Sequence, residues 1–148
     1  VEAVAAADKD AAELTRRSLL ESGISDAVVA FQRAMEELYR AHPGAANKIK
    51  ANAFQRLGDG SELWHAVGCP AYAEVLSAHE LERMRILFQR RHLLAHREGI
   101  VDEQYIQRSG DTRYASGQRI IVRPEHVDEL VALVRKLVGA YLPSEEAS

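Results

Sequence analysis

Hydrophobic positions recur with a helical period of three to four residues along most of the chain. Ahead of residue 78 this pattern predicts five helices, at 1–21, 25–41, 45–57, 61–67 and 70–76. Ser22-Gly23 is expected to close the first helix and Gly58-Asp59-Gly60 the third, because glycine interrupts helical patterns and favours turns. The first half of the chain is therefore predicted to be helical throughout.

The strongest helix start in the sequence is a capping box formed by Ser77 and Glu80, in which each side chain accepts a hydrogen bond from the backbone of the other residue. A long helix is predicted to follow over 78–98. Gly99 suits the left-handed position just after its last turn.

Between 99 and 122 the pattern changes to short β-prone runs, Ile100-Val101 and 119–122, separated by turn residues. A last helix is predicted from Pro124, with an apolar stripe that reaches Tyr141 before Pro143 ends it. The predicted fold is all-α, a helical bundle with a small β-hairpin-like insertion before the last helix.

The composition, 148 residues with 47% hydrophobic and 28% charged, is that of one globular domain, which we expect over 1–143 with a disordered tail over 144–148. Cys69 is the only cysteine, so no intramolecular disulfide can form, which fits a reducing, cytoplasmic environment. The longest apolar stretches, such as 27–31, are far shorter than the ~20 residues of a membrane-spanning helix. No membrane association and no stabilising metal or cofactor is expected.

Charge is unevenly distributed, although the net charge is only -3. Residues 83–123 contain nine arginines, no lysine and four acidic residues, whereas the rest of the chain is acidic. A guanidinium suits bidentate phosphate contacts better than an ammonium does, so this segment could hold an anion. The alternative is a solvated helix face whose arginines pair with acidic residues elsewhere.

On the predicted long helix, one side is apolar and yet contains Arg91 in its middle. A helical wheel at about 100° per residue groups the apolar positions there: Leu81, Met84, Leu87, Phe88, Leu94 and Ala95. His92 lies near the edge of this face, one turn before His96. A guanidinium on a packing face is costly unless it pairs or lines a cleft or subunit interface. Ile86 and Leu93 form a smaller apolar pair on the other side, so both of these faces of the helix are expected to pack against other segments.

An arginine and a histidine in this pattern suit RNA cleavage without a metal. Arg91 can hold a phosphate and its developing charge, while a neutral His96 imidazole moves a proton near its ordinary pKa of about 6.5. The RNA 2′-hydroxyl supplies the nucleophile, so that a cyclic phosphate is the product. A structural Arg-His network bonded to acidic residues is the competing interpretation.

The run Arg91-His92-Leu93-Leu94-Ala95-His96 resembles the Arg, polar residue, three residues, His signature of the HEPN superfamily. The wider segment 90–102, RRHLLAHREGIVD, is similar to the motif helix and following turn of bacterial HEPN-like proteins, and the likeness in helix pattern extends over 25–141. The resemblance implies a metal-independent endoribonuclease, cytoplasmic and without a cofactor, of a toxin–antitoxin or anti-phage defence system.

By the same resemblance, two subunits of a homodimer would face each other across a shared cleft. Arg91 would hold the scissile phosphate, His96 would act as general acid or base, and His92 would take the polar position that orients them. An RNA substrate and an antitoxin or larger defence protein are the implied partners. Two departures from the family are a histidine where Asn or Asp is common, and the insertion after Gly99.

Two alternatives remain open. A HEPN-like module could bind a nucleotide, RNA or protein without cleaving, and His92 and His96 could chelate a metal with Asp102 or Glu103 as third ligand. Five further arginines are candidates for substrate binding: Arg90, Arg97, Arg108, Arg113 and Arg119. The last three lie on the predicted insertion and could equally be solvated charges.

Overall fold

The computed structural model describes residues 2–144, beginning with one uninterrupted helix, α1 (Glu2–Ala41). The prediction that Ser22-Gly23 separates two helices is therefore wrong. A Cβ atom on Gly23 would stand 3.0 Å from Cγ1 of Val127. The glycine thus permits close packing against the last helix while the backbone of α1 continues. The buried residues of α1 begin only at Ile24.

The predicted helix over 45–57 is also wrong. This segment contains only the 3-10 helix Ala53–Gln55, preceded by Asn52 in the left-handed region with φ of 58°. Helix α2 (Leu57–Ala66) then starts at the glycines that were expected to form a break. A Cβ atom on Gly60 would lie 2.6 Å from the Tyr72 hydroxyl, so here too glycine serves close packing.

Two predicted helices in the middle of the chain are confirmed. Helix α3 (Tyr72–Val75) is short, and α4 (Ala78–His96) starts with the expected capping box. The Glu80 amide donates to Oγ of Ser77 at 3.1 Å, and the Ser77 amide donates to Oε1 of Glu80 at 3.0 Å. The box satisfies two backbone donors and fixes the start of α4.

The segment after α4 does not form the expected β-hairpin. In the described part of the chain, the extended runs meet only in one isolated antiparallel bridge, between Ile100 and Arg119. The residues between them form helix α5 (Glu103–Ser109), capped by the side chain of Asp102 and followed by Gly110 at φ 68°. An aspartate before and a glycine after a short run are helix signals, and here they outweigh the turn residues that suggested a hairpin.

The last helix, α6 (Pro124–Gly139), packs with α1 and α4 around the main core. Trp64 stacks on Tyr141 with ring centroids 4.5 Å apart. A second, smaller cluster joins the other side of α4 to α5 and the segment around it: Leu93, Val101, Tyr105 and Ile120. Helix α4 is therefore packed against other segments on two sides, as its sequence predicts. The segments on the second side belong to the same chain.

The fold class is all-α, as predicted. The proposed disordered tail lies, except for Ser144, outside the described residues. Between residues 2 and 144, no helix has both the length and the apolar composition required to cross a membrane.

Candidate functional site

The candidate site lies at the C-terminal end of α4, where His92 and His96 project side by side. Their ring centroids are 4.7 Å apart, with 52° between the ring planes, and both side chains are exposed. Their four-residue spacing places them on one face of the helix. Two imidazoles in contact with solvent are positioned to exchange protons with a substrate.

The helix ends at His96 because the chain turns sharply after it. The backbone N–H of Arg97 and that of Gly99 both donate to the Leu93 carbonyl, at 2.7 and 3.0 Å. Glu98 and Gly99 have positive φ angles of 54° and 80°. This turn returns the chain along α4 and brings α5 next to the histidines.

Arg91 lies beside this pair but points to a different side of α4. Its spacing of five residues from His96 corresponds to about 140° around the helix axis. The side chain is partly buried, and its Nε atom is buried without a hydrogen-bond partner. Within residues 2–144, Arg91 forms neither an ion pair nor a hydrogen bond, so its guanidinium is available for an anion.

The neighbouring Arg90, a predicted substrate contact, lies inside the protein. Only 2% of the residue is exposed. Its Nη2 is 3.1 Å from Oδ2 of Asp111, its Nε donates to the Tyr105 hydroxyl at 3.2 Å, and its guanidinium lies 5.6 Å from the ring centroid of Tyr114. Arg90 therefore attaches α4 to α5 and the chain after it, and is not on the surface that a substrate would reach.

Hydrogen bonds and charge hold the Asp111 carboxylate in its ionised form. Burial alone would raise its pKa. The Tyr105 hydroxyl, the Arg113 backbone and the Arg90 side chain outweigh this effect and lower the pKa of Asp111 below its ordinary 3.8. The Tyr105 pKa is raised to about 12 by burial and by the bond to Asp111, so the phenol stays a donor.

The charges around His92 favour its neutral form. Partial burial lowers its pKa below 6.5, and the positive charges of His96, Arg108 and Arg91 lower it further, whereas Asp102 opposes them. Asp102 itself accepts from the Tyr105 amide at 2.8 Å and lies 3.5 Å from Nε of Arg97. A neutral imidazole near pH 7 has one ring nitrogen that can accept a hydrogen bond and one that can donate.

The metal-chelation alternative is not supported by the donor atoms. Across the described chain, no group of three or more His, Cys, Asp or Glu side chains is arranged to hold a metal ion. Asp102, one of the two residues considered as third ligand beside Glu103, is occupied as the N-cap of α5.

The other predicted arginines divide into two groups. Arg108 lies on α5 near His92, and the exposed Arg97 follows the histidines directly. Arg119 instead turns towards α1, where its Nη2 is 3.1 Å from Oε1 of Glu21. The exposed side chain of Arg113 contacts neither His92 nor His96 in the described part of the chain. The structure therefore places Arg97 and Arg108 near His92 and His96, leaves Arg91 on another side of α4, and places Arg90 and Arg119 elsewhere.

Two polar residues that the sequence analysis did not single out extend the site along α4. Arg85 and Gln89 precede His92 and His96 at helical intervals, so that the four residues follow one face. In the sequence, these residues are polar positions at i, i+4, i+7 and i+11. Such a pattern is a weak indication of a site, because most exposed helix faces are polar.

Comparisons of the chain with protein-family models, with curated proteins and with solved structures found no match. What this site does must therefore be inferred from its own residues and geometry.

Proposed function

We propose that the protein is a metal-independent endoribonuclease of the HEPN type, in a toxin–antitoxin or anti-phage defence system. The observation that supports this most directly is the exposed His92-His96 pair beside Arg91, an arginine that has no ionic partner among residues 2–144. A purely structural Arg-His network would pair its arginine with a carboxylate, as Arg90 pairs with Asp111.

In the proposed reaction, the RNA 2′-hydroxyl attacks the adjacent phosphorus and loses its proton to an imidazole. The bond from phosphorus to the 5′ oxygen breaks, and this oxygen takes the proton back from the imidazolium, which leaves a 2′,3′-cyclic phosphate and a 5′-hydroxyl. Arg91 stabilises the charge that develops on the phosphate oxygens. His96 transfers the proton, and His92, neutral near pH 7, orients the reacting groups.

The angle between Arg91 and His96 supports a composite cleft at a homodimer interface. In one chain these side chains point to different sides of α4, about 140° apart. Two copies with their α4 ends facing each other would place the arginine of one copy opposite the histidines of the other. The exposed histidines and the unpartnered Arg91 are the groups that such a cleft requires.

The test is cleavage of a mixed RNA in EDTA by the wild type, Arg91→Ala and His96→Ala, each checked for folding and oligomeric state. His79→Ala is a matched control, because His79 is an exposed histidine at the other end of α4. Arg135→Ala controls for loss of an exposed arginine on α6. We expect cutting by the wild type and both controls, and roughly 100-fold or greater loss in the other two variants.

An RNA with 2′-deoxy substitution at the cut site should resist cleavage, because the internal nucleophile is missing. If cutting persists on this substrate, or survives in both site variants, the mechanism is wrong. If a folded wild type cuts nothing but binds RNA, the non-catalytic binding module replaces the nuclease.

A further inference from the structure

A small polar cavity lies beside the candidate site and is not used by the mechanism above. It has a volume of about 270 Å³ and is bounded by the start of α2, the middle of α4 and the end of α5. Three arginines from these elements line it: Arg56, Arg85 and Arg108. Two glutamines, Gln55 and Gln89, add amide groups that can donate hydrogen bonds.

The positive charge in this cavity is not neutralised by its walls. No Asp or Glu is among the lining residues. Arg56 pairs with Asp59 at 2.5 Å, but Arg85 and Arg108 have no ion pair or hydrogen bond within the part of the chain that the structure describes. Two unpaired guanidinium groups on one cavity repel each other unless an anion lies between them.

The backbone at the cavity wall also favours an anion, but it would not by itself make the cavity a binding site. Helix α2 starts at Leu57, and its N-cap residue, Arg56, makes no side-chain capping bond. Gly58 in this first turn lines the cavity, and a Cβ atom there would meet nothing within 4 Å, although Asp59 already adds one negative charge to the same turn. Free N–H groups at a helix start attract negative charge.

The cavity and the candidate site have Arg108 in common and both lie along α4. Gln89 is three residues before His92 on α4, or about 5 Å along the helix axis, and Arg85 is about 10 Å before it. Arg108 belongs to both places, because it lines the cavity and also contributes to the lowered pKa of His92. A strand whose scissile phosphate lay at the histidines would therefore have a neighbouring phosphate within reach of the cavity.

We infer that this cavity is a second phosphate subsite, which binds a backbone phosphate of the RNA next to the scissile one, through Arg85 and Arg108. This inference rests on the proposed function for the identity of the ligand. With a volume of about 270 Å³, the cavity has ample room for a phosphate group.

The experiment measures binding of a single-stranded 2′-deoxy oligonucleotide, which cannot be cleaved by this mechanism, as a function of salt. The double variant Arg85→Gln/Arg108→Gln is compared with Arg40→Gln/Arg135→Gln, which removes the same charge from exposed arginines outside the cavity. We expect the first variant to bind roughly tenfold more weakly. Its slope of log K against log salt should be shallower by about 0.7, the value for one lost phosphate contact on a single strand.

The control variant should keep the wild-type slope and affinity within about twofold. Equal losses in both double variants would mean that general positive charge binds the strand, and would overturn the subsite. Unchanged binding in the cavity variant would overturn it as well. Circular dichroism and thermal melting identify a variant that has lost its fold, and the single variants Arg85→Gln and Arg108→Gln then provide the same comparison.

Activity separates this inference from the proposed function. If the wild type cuts RNA and the cavity variant cuts with unchanged KM, the nuclease stands and the subsite fails. If the wild type does not cut but the cavity variant alone loses oligonucleotide binding, the subsite stands and the nuclease fails.

Discussion

Arg90 and Asp111 form an ion pair of 3.1 Å in the interior of the protein, with only 2% and 3% of their side chains exposed. The next residue, Arg91, has no ion pair in the described chain. Two consecutive arginines therefore have different roles, one holding α5 against α4 and the other free to bind an anion. The orientation of α5, and with it Arg108 near His92, depends on the buried pair.

Removing the carboxylate of this pair should strongly destabilise the protein. Asp111→Ala leaves the Arg90 charge buried without compensation, which we expect to cost about 3–5 kcal/mol in the free energy of unfolding. Urea denaturation measures the change. The control Lys136→Gln breaks the exposed pair with Glu80 and should cost no more than about 1 kcal/mol.

Tyr105→Phe provides a milder probe if Asp111→Ala does not fold. Loss of the hydroxyl removes its bonds to Arg90 and Asp111 and should cost about 1–3 kcal/mol. If either core variant were as stable as Lys136→Gln, the network would not hold the two helices together.

The same pair should make stability depend on pH in the acid range. The pKa of Asp111 is lower in the folded protein than its ordinary 3.8, so its contribution is complete above about pH 4. This contribution is lost as the pH falls through the lower, folded pKa. The difference in unfolding free energy between wild type and Tyr105→Phe or Asp111→Ala should therefore shrink below pH 4. A difference that grew towards acid would contradict the direction of the shift.

His92 should remain neutral below the pH at which an ordinary histidine is protonated. Burial and the charges of His96, Arg108 and Arg91 lower its pKa from 6.5. Arg108→Gln removes one of these charges, so the His92 pKa should rise, and any acid limb of the cleavage profile that reports His92 should move to higher pH. NMR titration of the imidazole protons measures the pKa without requiring activity.

Arg135→Gln is the matched control for that titration, since Arg135 does not contribute to the His92 shift. Its His92 pKa should equal that of the wild type. A His92 pKa above 6.5 in the wild type, or a His92 pKa that does not change in Arg108→Gln, would show that the two side chains are not near each other in solution.

The turn after α4 should be sensitive to a side chain at Gly99. This residue has φ of 80°, and a Cβ atom there would lie 3.3 Å from Cδ2 of Leu94. Gly99→Ala should therefore lower the unfolding free energy by about 1–2 kcal/mol. Gly139→Ala, where a Cβ atom meets nothing within 4 Å, should instead raise it by up to about 1 kcal/mol. Thermal or urea unfolding distinguishes the two, and a stabilised Gly99→Ala would contradict the left-handed turn.

Much of the site's local arrangement could be predicted from the sequence. The capping box at Ser77 fixes where α4 begins, and the helical period then places His92 under His96 and Arg91 on another side. The buried Ile86 and Leu93 confirm that α4 is covered on two sides. These features follow from spacing within one helix.

The cavity and the buried network could not be predicted in the same way. Arg90 meets Asp111 from 21 positions away, and the cavity joins residues of three helices. Helical period specifies an angle around the axis, but it does not say which angle another segment will cover. The sequence wheel therefore identified Arg91 as the costly buried arginine, whereas the structure buries Arg90 more deeply.

The all-α class, the start of α4, and the histidine pair with its neighbouring arginine follow from the order of residues, because hydrophobic period and capping act over a few positions. The continuation of α1 through Gly23, the helix α5 in place of the hairpin, and the cavity shared by Arg85 and Arg108 emerge only from the folded chain. These outcomes depend on contacts between distant segments, where close packing selects glycine and where a buried charge must find its partner.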